Sequence, residues 1–145
     1  MIECRTATHE EIVQVLFHPE IWPNITDDRF PEPFDITPYL DDFMSIACLK
    51  DGNLIGIAIF HPFMDGEKYH INMLPGNKRS VREVISKTLS LAVHPVYIDI
   101  PDNFKALQKL AIRFGFSAIS KRISDAPKGG KYYEISLFKR LSWAL

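Results

Sequence analysis

The feature that most constrains the fold is a strand–helix–strand unit in the middle of the chain. The apolar run EKYHINML leads through a basic loop into a helical pattern, and the near-continuous apolar run VYIDI follows. Ser80 and Glu83 match a capping box at the helix start, and the helix is expected to run to about His94, before Pro95. Two strands joined through a helix are predicted to lie parallel, with a right-handed crossover.

Antiparallel elements flank this unit on both sides. IECRT reads as a strand, Thr8 and Glu11 match a capping box, and DGN marks a hairpin turn between two further strands. Asp102 or Asn103 is expected to cap a last helix that ends at Gly115, before the hairpin SAISKRI–YYEISLFKRL. The sequence predicts one α/β (α+β) domain over residues 1–145, with a mixed, mostly antiparallel sheet and helices on both faces.

Charge and composition narrow the range of functions. A net charge of −1 and a pI near 6.5 argue against a nucleic-acid-binding protein, and no apolar run is long enough for a membrane span. The five histidines and two cysteines show no metal-ligand spacing, so no metal is predicted. These features favour a cytoplasmic protein.

Three cations surround the predicted start of the central helix: Lys78, Arg79 and Arg82. A helix N-terminus presents unpaired N–H groups and the positive end of the helix dipole, both of which favour an anion. The loop is therefore a candidate phosphate site, although a solvated basic loop explains the same residues.

Two stretches of the chain resemble a known family. MLPGNKRSVREVISKTL looks like the fourth strand, the pyrophosphate-binding loop and the following helix of the GCN5-related N-acetyltransferase (GNAT) superfamily, and YIDIPDNFKALQKLAIRFGF looks like its fifth strand and next helix. HPEIWPNITDD and YHINMLP are similar to acetyltransferase-like proteins of tailed bacteriophages and prophages, some of which are linked to head assembly. The resemblance implies a GNAT-like acyl-CoA N-acyltransferase fold.

The resemblance also implies a cofactor, acetyl-CoA or CoA, and the residues that hold it. Backbone N–H groups of Met73 and Leu74 would form an oxyanion hole. The remaining cofactor contacts would come from Lys78, Arg79, Ser80, Val81, Arg82 and Asn103. Val81 and Glu83 stand where the family has glycine or alanine, which implies weak binding, and Ala111 stands where the family often has a tyrosine acid.

His70, on the strand before the loop, is the candidate general base, because an imidazole with a pKa near 6.5 suits deprotonation of an amine. A plain strand histidine is the alternative. Asp27 and Asp28 could receive a cationic amine, lie in a solvated loop or form a partner surface. Trp22 could cover the site, anchor a partner or belong to the core.

The sequence is compatible with two functions. The first is an N-acetyltransferase acting on a small-molecule or protein amine. The second is a non-catalytic phage protein that binds phage structural proteins during head assembly, in the host cytoplasm or in the virion. The sequence does not indicate an oligomeric state.

Overall fold

Residues 1–141 are described by the computed structural model, and they build a mixed seven-stranded sheet with helices on both faces. The strands are β1 Ile2–Thr6, β2 Met44–Lys50, β3 Asn53–Phe63, β4 Gly66–Met73, β5 Val96–Pro101, β6 Ser117–Ile123 and β7 Glu134–Arg140. The helices are α1 His9–Leu16, α2 Trp22–Ile25, α3 Val81–Leu89 and α4 Lys105–Arg113. Short 3₁₀ turns cover Thr37–Asp42 and Lys78–Ser80.

The strand order is β1-β2-β3-β4-β5-β7-β6, and every neighbouring pair is antiparallel except β4 and β5. The predicted mixed, mostly antiparallel sheet is therefore confirmed, with its parallel pair where the central strand–helix–strand unit required it. None of the helices within residues 1–141 is long and apolar enough to cross a membrane.

Successive side chains of each strand point to opposite faces of the sheet, so the core has two layers, one on each face. One sheet face packs under α3 and α4, with Phe60 and Tyr69 among its buried residues. The opposite face packs under α1, where Ile57 and Ile59 meet Val15. On β4, Tyr69 points towards α3 and α4, so its neighbours Lys68 and His70 point to the α1 side of the sheet.

Local signals at two helix ends are confirmed. Thr8 and Glu11 make both bonds of the capping box, at 3.2 and 2.9 Å. Gly115 has a φ of +89°, and the Phe116 N–H donates to the Ala111 carbonyl oxygen at 3.1 Å, which is the Schellman arrangement at the end of α4.

Two other predicted caps are wrong. Ser80 has helical dihedral angles and makes no side-chain cap bond, because the Lys78–Ser80 turn already leads into α3. Neither Asp102 nor Asn103 caps α4, whose N-cap is Phe104; the Asp102 carboxylate instead accepts from the Ser136 hydroxyl at 2.7 Å.

The end predicted for α3 is also wrong. The helix stops at Leu89 rather than near His94, because the Leu91 and Ala92 N–H groups donate to carbonyl oxygens three residues back. These tighter turns bury Ala92 in the core and redirect the chain into β5.

A short seam holds β4 to β5. Only Glu67↔Val96 and Lys68↔Tyr97 are in register, and the strands part beyond them. The Glu67 N–H donates to the Pro95 carbonyl oxygen at 2.9 Å, and a Cβ on Gly66 would lie 1.9 Å from that same oxygen. The seam therefore requires glycine at position 66.

We predict that Gly66→Ala lowers the free energy of unfolding by about 1–3 kcal/mol, because the added methyl group overlaps the Pro95 carbonyl. Urea unfolding measures this loss. The control is Ser117→Ala, an alanine substitution at an exposed position of β6. A Gly66→Ala protein as stable as wild type would show that the seam moves apart freely.

Candidate active site

The parting of β4 and β5 opens a cleft of about 1120 Å³. Apolar residues of the α3/α4 side form one part of its wall, including Ile85, Leu107, Leu110 and Phe114. Polar residues form the other part, and they come from β4, β5, β6, the segment 24–27 and the loop between β6 and β7. The cleft therefore joins an apolar passage to a polar chamber.

His70, the predicted catalytic residue, lines this cleft and is hydrogen-bonded to a second histidine. Its Nε2 lies 2.8 Å from Nε2 of His61 on β3, with ring centroids 4.9 Å apart and ring planes 16° apart. The nitrogen–nitrogen distance is shorter than the centroid–centroid distance by nearly twice the distance from an imidazole centroid to its nitrogen. Both Nε2 atoms therefore lie on the line that joins the two ring centroids. The contact is an in-plane hydrogen bond between imidazoles.

The surroundings of His61 assign the proton in this bond. A carbonyl oxygen only accepts, so the 3.3 Å contact between His61 Nδ1 and the Pro62 oxygen requires a proton on Nδ1. Neutral His61 then accepts at Nε2, and His70 donates from its own Nε2–H. This arrangement leaves Nδ1 of His70 unprotonated, as a base requires.

Both rings favour their neutral form. His70 keeps an exposed surface in the open cleft, but the protein around it desolvates the ring and, with His61 and Lys68, lowers its pKa to about 4. Partial burial is also the main cause that lowers the pKa of His61. The pKa of His70 thus lies below the ordinary value expected from the sequence.

Asp99 of β5 organises the charges beside His70. Its carboxylate accepts from Lys68 Nζ at 2.7 Å and from both terminal nitrogens of Arg122, at 2.9 and 3.2 Å. Burial opposes its ionisation, but the hydrogen bonds from Arg122 and Lys68 outweigh burial and lower its pKa. Asp99 is therefore a charged anchor that joins β4, β5 and β6.

One of the two predicted oxyanion donors is available. The Leu74 N–H donates to the Ile55 carbonyl oxygen at 2.8 Å, so it is already paired and that expectation is wrong. Hydrogen-bonded pairs alternate along an antiparallel ladder, which makes Met73↔Gly56 a pair without ladder bonds. The Met73 N–H therefore points away from β3, towards the side where β5 has separated.

The predicted cofactor loop forms its own concavity of about 400 Å³ next to the cleft, lined by Met73, Leu74, Lys78, Arg79 and Val81 among others. The Asn77 amide donates to the Leu74 and Pro75 carbonyl oxygens, at 3.0 and 3.2 Å, and fixes the loop. Gly76 has a positive φ and is exposed, and a Cβ built on it would meet no atom within 4 Å beyond its chain neighbours, so its backbone is open to a ligand.

The charges of this loop suit an anion. Lys78, Arg79 and Arg82 are exposed, and none of them forms an ion pair within residues 1–141. The Glu83 carboxylate would repel an anion, but its Oε2 lies 3.7 Å from Nζ of Lys87, which offsets part of its charge.

Other predicted residues of the loop have structural roles. Ser80 is buried, and its N–H donates to the Asn77 carbonyl oxygen at 3.0 Å, so this N–H is not free for a ligand. Val81 packs against the α3/α4 core. Asn103, in contrast, lines the main cleft on the loop after β5.

The acidic loop is engaged with the protein itself. Asp27 pairs with Arg29 at 2.8 Å, and the Asp28 carboxylate accepts from the Gly129 and Gly130 N–H groups, both at 2.8 Å. These contacts favour the structural interpretation of both carboxylates. Trp22 is 5% exposed and donates to the Phe30 carbonyl oxygen, so it belongs to the core.

Sequence reasoning missed several residues of the polar chamber. Lys128, Lys131, Tyr132 and Tyr133 line it from the loop between β6 and β7, and Arg122 lines it from β6. The Gly-Gly pair at residues 129–130 signalled a turn, but nothing local indicated that this turn reaches a cleft between β4 and β5. Within residues 1–141, no three His, Cys, Asp or Glu side chains converge as a metal site would require.

No protein-family model and no curated protein sequence matches the chain. Solved structures do match it. A "putative phosphinothricin N-acetyltransferase" superposes with a TM-score of 0.84 at 16% identity, covering 98% of this chain and 99% of the other. An N-acetyltransferase from Staphylococcus aureus Mu50 gives a TM-score of 0.74 at 16% identity, with 98% of each chain covered.

A mutant of spermidine N-acetyltransferase SpeG from Vibrio cholerae matches with a TM-score of 0.78 at 15% identity, covering 97% of this chain and 94% of the other. The chain therefore has the fold of GNAT N-acetyltransferases, as the sequence resemblance implied. The resemblance to phage proteins stays a prediction.

We predict that stability falls as pH drops from about 6.5 towards 4, in part because of His70. In that window the unfolded chain protonates this histidine at its ordinary pKa, whereas the folded chain, with the lowered pKa, does not. Urea unfolding at pH 7.5, 6.5 and 5.5 measures the slope. His70→Gln should flatten it and His94→Gln, on an exposed histidine outside the cleft, should not; equal slopes in wild type and His70→Gln would contradict the lowered pKa.

Proposed function

We propose that this chain is an N-acetyltransferase that transfers the acetyl group of acetyl-CoA to an amine. The main support for this proposal is the set of groups that β4 and the loop after it bring to the cleft. β4 brings a neutral histidine and a backbone N–H directed into the gap left by β5, and its loop adds three exposed cations that form no ion pair in the described part of the chain. A base, an oxyanion donor and an anion-binding loop therefore follow one another along a single cleft.

The charge and polarity of the lining residues match the parts of acetyl-CoA. Lys78, Arg79 and Arg82 provide charge for a pyrophosphate, and exposed backbone at Gly76 permits a close approach. The apolar passage past Leu107 and Leu110 suits an uncharged arm, with Asn103 as a polar contact. When bound, acetyl-CoA supplies an acetyl thioester that an amine can attack.

In this proposal His70 is the base that accepts the proton of the amine. Its Nδ1 is the free basic atom, and the hydrogen bond from its Nε2–H to His61 becomes charge-assisted once Nδ1 is protonated. His61 thereby stabilises the imidazolium that the reaction forms. The Met73 N–H, directed into the gap, is the backbone donor for the developing oxyanion.

A proton donor for the departing thiolate is not found on α4, where Ala111 occupies the position at which the resemblance expects a tyrosine. Tyr132, which is exposed, and Tyr133, which is half-buried, line the chamber, and we assign this role to one of them. The burial of Trp22, a candidate anchor for a partner, counts against the alternative role in phage head assembly.

We predict that His70→Ala lowers the turnover number by roughly 10²–10⁴, the usual worth of a positioned base, and leaves the affinity for CoA unchanged. Thiol release from acetyl-CoA across a panel of amines measures turnover, and calorimetry measures CoA binding. His94→Ala is the control. Equal rates in wild type and His70→Ala would exclude His70 as the base, and no release from folded wild type with any amine would favour a non-catalytic role.

We predict separately that changing both Lys78 and Arg79 to alanine weakens CoA binding roughly tenfold, because each exposed charge contributes about 1 kcal/mol or less. The effect should shrink as salt is added, since exposed charges are screened over about 8 Å at physiological ionic strength. Lys50→Ala, on the exposed end of β2, is the control. An unchanged CoA titration in the double variant would remove the loop from the cofactor site.

A further inference from the structure

The tip of the loop between β6 and β7 is a two-residue hairpin that holds two lysines side by side. Lys128 and Lys131 exchange both backbone hydrogen bonds, at 2.8 and 3.2 Å, around Gly129 and Gly130, whose φ angles are +60° and +77°. Residues paired in this way project their side chains to the same face, and like charges directly opposite each other are destabilising.

Hydrogen bonds to Asp28 keep the hairpin that carries the two lysines at the cleft. The Asp28 carboxylate accepts from the N–H groups of both glycines, and the Asp28 N–H donates to the Pro127 carbonyl oxygen at 3.0 Å. The hairpin is therefore clamped to the segment that follows α2, which also lines the cleft. The backbones of the two lysines are therefore held next to each other at the cleft.

The Arg29 hydrogen bond is the main cause that lowers the pKa of the Asp27 carboxyl, and Lys128 lies near enough to this carboxyl to help lower it. Within residues 1–141, the amino groups of Lys128 and Lys131 form no ion pair and no hydrogen bond. The carboxylates that line the cleft are mostly committed elsewhere: Asp27 to Arg29, Asp99 to Lys68 and Arg122, and Asp102 to Lys121 and Ser136. Glu134, which is exposed, is the remaining carboxylate in the lining.

We propose that the acceptor is a small primary amine that also carries an anionic group, as an amino acid does. Lys128 and Lys131 bind the anion, which relieves their mutual repulsion, while the amine is presented to His70 in the same cleft. A polyamine would instead add positive charge beside two unpaired lysines. This inference rests on the proposed function and specifies its acceptor.

The first arm of the test needs no turnover. N-acetylglutamate and N-acetylmethionine are titrated into the CoA-loaded protein beside their amides, with binding followed by chemical-shift changes. The acids should bind roughly tenfold more tightly than the amides, and added salt should reduce the difference. Equal binding of acid and amide would overturn the inference whether or not the protein is active.

The second arm uses variants and turnover. In the double variant Lys128→Gln/Lys131→Gln, KM for amino acid acceptors should rise roughly tenfold, while kcat and the KM for the corresponding amides hardly change. Lys50→Gln is the matched control. A wild-type preference for spermidine or for amides, retained in the double variant, would overturn the inference and leave the N-acetyltransferase proposal intact. Absence of transfer to every amine would instead count against that proposal, and the binding arm then decides the inference alone.

Discussion

The site depends on one constraint, the shortness of the pairing between β4 and β5. Two residue pairs hold these strands together, and Gly66 permits the close approach to Pro95 at which this pairing begins. A sheet that is continuous from β1 to β4, and again from β5 to β6, therefore opens at its centre. The backbone edge of β4 faces this gap, so groups that a closed sheet would pair become available to a ligand.

Two carboxylates, Asp99 and Asp28, hold the walls of the cleft between β4 and β5 in place. Asp99 joins Lys68 and Arg122 across three strands, and Asp28 joins the segment after α2 to the last hairpin. Both carboxylates are used to hold walls of the chamber, which leaves them poorly suited to receive a cationic substrate. The histidine pair adds the proposed base, the neutral His70 imidazole, whose tautomer is assigned from the contacts with His61 and Pro62.

Signals that depend only on near neighbours predicted the fold well. The Thr8 capping box and the Gly115 helix end are local hydrogen-bond patterns, and the structure contains both. Ser80 and Asp102 carry equally good local signals but do not cap helices. Asp102 is bonded to Ser136, which is 34 residues away, and a tight turn before α3 makes the Ser80 cap unnecessary.

The sequence by itself determined the order of the seven strands and of α1, α3 and α4, and the parallel pairing of β4 with β5. It also placed His70 on β4 and the basic loop after it, because periodicity and turn chemistry act over a few residues. Only the tertiary structure decided which of these groups remain free. It paired the Leu74 N–H with β3, placed His61 against His70, and brought Lys128 and Lys131 into the cleft. The physical reason is that strand register and long-range hydrogen bonds, which allocate each donor and charge, join residues far apart in the chain.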